Sequence, residues 1–257
     1  MGWYSLRNFP FLLWFLYTDP ISYIYITREV IMDYSPILSI VTAVLEISAA
    51  AWALLSKGRR SVRYSAAAVL FFLASYQIME ASICADPVRF TRLVRPAFMT
   101  VLWLPATGLL LLTFLAPTLR RFMKIYTGIF YALALGIFIW QFVDQTPVGT
   151  SVCLVVFARY NNVMPRALTL AYGIYYQLGL LSMLVLSAVG VVKTADAFAR
   201  KQIGQLLFGC LIFIIPAMMV TRLIPLTEGA YASILCHMAI LLAVFIFSIL
   251  WLENKKN

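Results

Sequence analysis

Two acidic side chains stand inside stretches too apolar to solvate them: Glu46 in TAVLEISAA and Glu80 in YQIMEASIC. A carboxylate in hydrocarbon is costly unless it is protonated, paired or turned toward a polar interior, so each is a candidate for proton or ligand chemistry. For Glu46 the alternative is a neutral acid hydrogen-bonded between helices. Glu80 is followed by Cys84 and then by ADPVRFTRLVRP, which carries Asp86, Arg89, Arg92 and Arg95. Gln77 precedes Glu80 by one helical turn, and Gln177 and Arg222 are expected at a similar depth in later segments. One reading is a polar chamber built from Gln77, Glu80, Arg95, Gln177 and Arg222, with Glu46 as a separate, deeper site. The other is a set of ion pairs among lipid headgroups.

Cysteine and histidine narrow the chemistry further. Cys84 and Cys153 are expected on the same, oxidising side, where a disulfide would pin a long loop over the helices; two free thiols are the alternative. Cys210 and Cys236 read as packing residues. Four cysteines and one histidine are too few and too scattered for a zinc or haem site, so neither metal nor cofactor is expected. His237 is expected to bridge helices by a hydrogen bond, with a titrating switch as the alternative. Every lysine falls at the end of an apolar segment, which removes the amine that a retinal Schiff base needs. No Ser-His-Asp, HExxH or Gly-rich phosphate loop is present, so no enzymatic activity is assigned.

The elements that must position these residues are helices in a membrane. The chain of 257 residues is 63% hydrophobic and 12% charged, against about 25% charged in soluble domains. Continuous apolar runs such as Met238 to Leu252 lack the period-two alternation of an outer-membrane barrel, leaving helices as the way to satisfy the backbone in lipid. Seven spans are expected at about 36–56, 64–84, 96–117, 124–143, 168–192, 202–225 and 230–252. Pro105 and Pro216 fall mid-span, where a kink is permitted.

The fold class is therefore all-α: a polytopic integral membrane protein, a seven-transmembrane helix bundle with an amino-terminal interfacial segment. Residues 1–35 are rich in Tyr and Trp, as the headgroup zone favours, although 7–27 would also serve as an extra span. Residues 36–252 form the helical domain and 253–257 a short tail. The long connection from Asp144 to Ala167 contains CLVVF, apolar enough to fold back on the bundle.

The formal charge of +10 belongs to residues at span ends rather than to a basic domain, so nucleic acid is not an expected partner. Twelve of the 20 Lys and Arg residues fall on one side: Lys57, Arg59, Arg60, Arg63, Arg120, Arg121, Lys124, Lys193, Arg200, Lys201, Lys255 and Lys256. The positive-inside rule then puts the carboxyl end in the cytoplasm and the amino end outside.

The stretch YQIMEASICADPVRFTRLVRPAFMTVLWLPATGLLLLTF, with Glu80 ending the second span and Trp103-Leu104-Pro105 in the third, resembles the membrane region at the amino end of bacterial histidine kinases of the seven-transmembrane sensor type. The resemblance implies a bacterial cytoplasmic membrane and an outward-facing sensory pocket that includes Glu80. Family members continue into a cytoplasmic signalling domain, whereas this sequence ends in WLENKKN, so signalling is expected to pass through another protein.

The first functional expectation is accordingly an integral membrane sensor or receptor-like protein coupled to protein partners at its cytoplasmic face. The second is a non-catalytic structural subunit of a larger membrane protein complex. A small transporter or a lipid-acting membrane enzyme using Glu46 is the third.

Overall fold

The computed structural model describes residues 35–144, 146, 151–153, 158–160, 163–223 and 230–256. The interfacial segment or extra span expected over 1–35 lies outside the described residues. Among the described residues, seven helical segments are long and apolar enough to cross a membrane. They are α1 (Ile37–Leu55), α2 (Arg60–Ala85), a third span broken into α3 (Val94–Val101) and α4 (Leu104–Leu115), then α5 (Arg120–Val143), α6 (Arg166–Lys193), α7 (Ala197–Leu223) and α8 (Tyr231–Lys256). The chain is a multi-pass, seven-helix membrane bundle.

Three spans make the centre. In the third span 67% of the apolar window is buried inside the bundle, against 28% in the span containing α5, so the third span is central and α5 peripheral. α2 packs against α1, α3, α4 and α8, while α8 packs against α7, α1 and α2. The α1–α2 contact is lined with small side chains, Ala43, Ala50 and Ala53 on one helix and Ala66, Ala67 and Ala74 on the other. Small residues let helix backbones approach closely, which replaces the hydrophobic drive that lipid removes. The opposite face of α5 leaves Ile125, Ile129, Leu133, Ile139 and Phe142 exposed, as a lipid-facing surface requires.

The break in the third span has a local cause. Pro105 sits in the first turn of α4, where its missing N–H is tolerated, and the chain turns at Leu102 and Trp103. Carbonyls near the break are answered from α6: Tyr175 donates to the Leu102 carbonyl at 3.0 Å and Tyr172 to that of Phe98 at 3.3 Å. Pro216, by contrast, lies within a continuous α7.

α6 closes on the same point. A Cβ added to Gly179 would meet the Pro105 side chain at 2.3 Å and Phe130 at 3.1 Å, so this glycine sets how near α6 comes to α4. Replacing Gly179 with Ala should therefore destabilise the bundle by about 1–3 kcal/mol through overpacking. Gly136→Ala, where nothing lies within 4 Å, is the control and should be neutral or slightly stabilising. Thermal unfolding of both variants in one detergent checks the contrast; equal melting temperatures would refute the close-packing account.

Two departures from the sequence reading matter for the site. The connection after α5 carries a two-stranded antiparallel hairpin, β1 (Ser151–Cys153) and β2 (Ala158–Tyr160), with Cys153 opposite Ala158. The end read as a tail from 253 continues α8 instead, and Glu253 is buried. The physical reason is the partner it finds: an ion pair at the helix end keeps the last turn ordered.

Candidate functional site: a buried polar cluster at the disulfide end of the bundle

Glu80 lies in the penultimate turn of α2, among buried positions Tyr76, Gln77, Ile83 and Cys84. Residues three and four apart share a helix face, so Tyr76, Gln77 and Glu80 are presented together to α1 and α8. α1 contributes Ser39, Thr42, Ala43 and Glu46, buried at positions three, four and seven after Ser39. α8 contributes Ser233 and His237, one turn apart.

Ser233 is the junction. Its hydroxyl donates to Glu80 Oε1 at 2.8 Å and accepts the backbone N–H of Ala158 on β2 at 3.0 Å. Its carbonyl accepts from His237 Nδ1 at 2.8 Å. Because a carbonyl can only accept, the proton of a neutral His237 sits on Nδ1. Its Nε2 then accepts from the Ser39 hydroxyl at 3.1 Å. The same Nε2 lies 3.7 Å from Glu80 Oε1, close enough for electrostatic coupling but too long for a hydrogen bond. α1, α2, α8 and the hairpin thus meet at one carboxyl group.

The hairpin is held there covalently. Cys84 at the end of α2 and Cys153 on β1 form a disulfide, with Cα atoms 5.6 Å apart and a sequence separation of 69. Ala158 and Tyr160 pack with Ile83, Cys84 and Val94, and Tyr160 meets Phe98 edge-on at 5.3 Å. Arg95 clamps the start of the same connection: it pairs with Asp144 at 3.0 Å and donates to the Asp144 and Thr146 carbonyls.

The predicted chamber is only partly assembled. Gln77 and Glu80 come together, and Glu46 faces the same interior. Arg95 is committed to Asp144, and Gln177 is half-buried beside Tyr231. Neither contacts Glu80, because the disulfide-tethered hairpin and the first turns of α8 occupy the space next to it. The Arg222 side chain lies outside what the structure describes. Among the described residues no group of three or more His, Cys, Asp or Glu is arranged to hold a metal.

Ser39, Thr42 and Ser233 were not singled out from the sequence. A signal existed: Ser39, Thr42 and Glu46 share one helical face, as do Ser233 and His237. That polar stripe marks an interhelical surface even without a partner in view.

A second polar cluster closes the opposite, basic end. Arg59, preceding α2, pairs with Glu253 of α8 at 2.5 Å, reaches Gln202 of α7 at 3.1 Å and the Phe114 carbonyl of α4 at 3.1 Å. Gln202 also donates to Glu253 at 2.8 Å. Gly58 makes the approach possible: its φ of 151° disfavours side chains, and a Cβ there would meet that of Glu253 at 3.1 Å. Arg59 is 44% exposed, so water moderates the pair.

No family model, no curated protein and no solved structure matches this chain.

Two outcomes check these clusters. Cys153→Ser should leave Cys84 reactive to alkylating reagents and lower stability by roughly 2–4 kcal/mol. Intact mass of the alkylated wild type, with and without reductant, should read the loss of one cross-link. Glu253→Ala should cost about 1–3 kcal/mol, discounted for the exposure of Arg59, because Gln202 and the guanidinium both lose their acceptor. A melting temperature unchanged from wild type would remove that cluster's structural role.

Proposed function

We propose that this chain is a membrane sensor or receptor-like protein that receives a small polar ligand near Glu80 and passes the response to partner proteins at its basic end. The observation that carries the reading is the Ser233 junction. A hairpin tethered outside the spans is hydrogen-bonded through one hydroxyl to a carboxyl group buried between three helices. A ligand that displaced or strengthened that contact would have differential affinity for two arrangements of α1, α2 and α8, which is what signalling requires.

Sidedness is supported twice. The basic connections Lys57 to Arg63 and Arg120 to Lys124 favour a cytoplasmic location, and the disulfide at the other end favours an oxidising one. The reading therefore has the hairpin outside and Lys255 and Lys256 inside a cell membrane, with the basic connections as the coupling surface. The resemblance of YQIMEASIC through LLLLTF to bacterial sensor kinases supports the same arrangement and a bacterial cytoplasmic membrane.

The test is purification of the full chain in native lipid, followed by mass-spectrometric identification of what travels with it. A retained small molecule that falls at least about tenfold in Glu80→Gln, with insertion and melting unchanged, is the expected result. Stoichiometric membrane-protein partners with no small molecule would overturn it in favour of a non-catalytic complex subunit.

A further inference from the structure

The polar cluster continues inward past the contacts described above. Glu80 Oε2, both side-chain amide atoms of Gln77, the Thr42 hydroxyl and both Glu46 oxygens are buried with no hydrogen-bond partner among the described residues. Glu46, Gln77 and Glu80 are each 0% exposed. From Ser39 to Glu46 is about 10 Å along α1, and from Glu80 to Gln77 about 4.5 Å along α2, both toward the bundle middle. The Cys236 thiol lies within electrostatic range of both carboxyl groups, which puts Glu80 and Glu46 on one interhelical surface.

Unanswered polar atoms on facing helices, Thr42 and Glu46 on α1 and Gln77 and Glu80 on α2, are the kind of donor and acceptor set that buried water satisfies. The groups facing Glu80 are Tyr76 on its own helix and Cys236 and His237 on α8, with Tyr160 of the hairpin against Tyr76; Glu46 faces the shared region from α1. Arg159 sits between inward-facing Ala158 and Tyr160, so strand alternation turns it to the other face. Among the described residues the site therefore has two acids, one imidazole and no permanent cation paired with them. Two carboxyl groups beside an imidazole are the chemistry that binds and exchanges a proton.

We propose that the Glu80–His237 couple and Glu46 form an intramembrane proton-binding site between α1, α2 and α8, hydrated through Gln77 and Thr42. In one state Glu80 carries the proton and neutral His237 accepts from Ser39. In the other, the O–H bond of Glu80 breaks and an N–H bond forms at His237 Nε2. The Ser39 hydroxyl then turns from donor to acceptor, and the 3.7 Å gap closes to an ion-paired hydrogen bond. When Glu46 is ionised, water held by Gln77 and Thr42 offers a second route, in which the Glu80 O–H bond breaks, the water passes one proton on and receives one, and a Glu46 O–H bond forms. The proton count is conserved in both exchanges, and net uptake or release occurs at the end nearer the hairpin. This inference does not rest on the sensor reading, because protonation is measured without a ligand or a partner.

Infrared difference spectroscopy on the full chain in lipid nanodiscs, titrated across about pH 5–8, tests it. The expected result is a pH-dependent change in the carbonyl-stretch band of protonated carboxyl groups. Glu80→Gln should abolish that change, and His237→Gln should shift its midpoint by about one pH unit or more. Glu46→Gln should remove a separate band that deuterium exchange displaces, showing contact with water. No pH-dependent carboxyl band in the wild type would overturn the proposal whether or not any variant folds. A band that persists unaltered in a folded Glu80→Gln protein would overturn the assignment of the site.

Discussion

A carboxyl group placed between helices in hydrocarbon has to be answered, by a proton, by hydrogen bonds or by a counter-charge, because no solvent is there to do it. Glu80 imposes that condition on everything around it. Ser233 is oriented by having to donate to it, and the same hydroxyl has a lone pair left for the Ala158 N–H. His237 is then fixed as the Nδ1–H tautomer by the Ser233 carbonyl, and Ser39 by the remaining imidazole nitrogen. Three helices and a hairpin are thereby in register around a single side chain. The disulfide and the Arg95–Asp144 pair add to the anchorage of the connection after α5.

The two ends of the bundle solve the same electrostatic problem differently. At the basic end, Glu253 is matched by a permanent cation, and Gln202, the Phe114 carbonyl and the Arg59 backbone complete the arrangement. The cluster joins the start of α2 to α4, α7 and α8. At the disulfide end, among the described residues, Glu46 and Glu80 have no Lys or Arg paired with them, and several polar atoms have no partner. A satisfied cluster is suited to holding a structure in one state; an unsatisfied one is suited to binding something. α8 carries residues of both clusters, and α2 runs from its N-cap Arg59 in one to Glu80 in the other, so the same two helices meet both ends.

Much of the architecture was legible in the amino-acid sequence, for a reason specific to membranes. Backbone groups in lipid must be satisfied internally, so apolar length translates directly into helices, and the expected spans coincide with the observed ones within a few residues. The location of Glu46 and Glu80 inside such spans was equally plain, as was the placement of Cys84 and Cys153 beyond neighbouring span ends. What composition could not supply was azimuth. Arg95 and Gln177 stand at depths compatible with Glu80, yet one turns to Asp144 and the other to Tyr231. Depth follows from counting residues along the chain, but facing depends on how helices rotate to pack.

The sequence by itself determined that residues 36–252 hold seven stretches apolar and long enough to cross a membrane, and that Glu46 and Glu80 fall within two of them. It marked Pro105 and Pro216 alike as places where a kink is permitted, and only the structure shows the third span breaking at the first while α7 runs on through the second. Only the tertiary structure decided which helices surround those acids. Ser39, Ser233 and His237 are separated by up to 198 residues and become neighbours through the α1, α2 and α8 packing alone. Glu253 shows the same rule at the other end: a hydrophilic terminus by composition, it is buried because Gly58 lets Arg59 reach it. Side-chain partners between helices are set by shape complementarity of whole surfaces, summed over many weak contacts, and no local pattern in the chain encodes that sum.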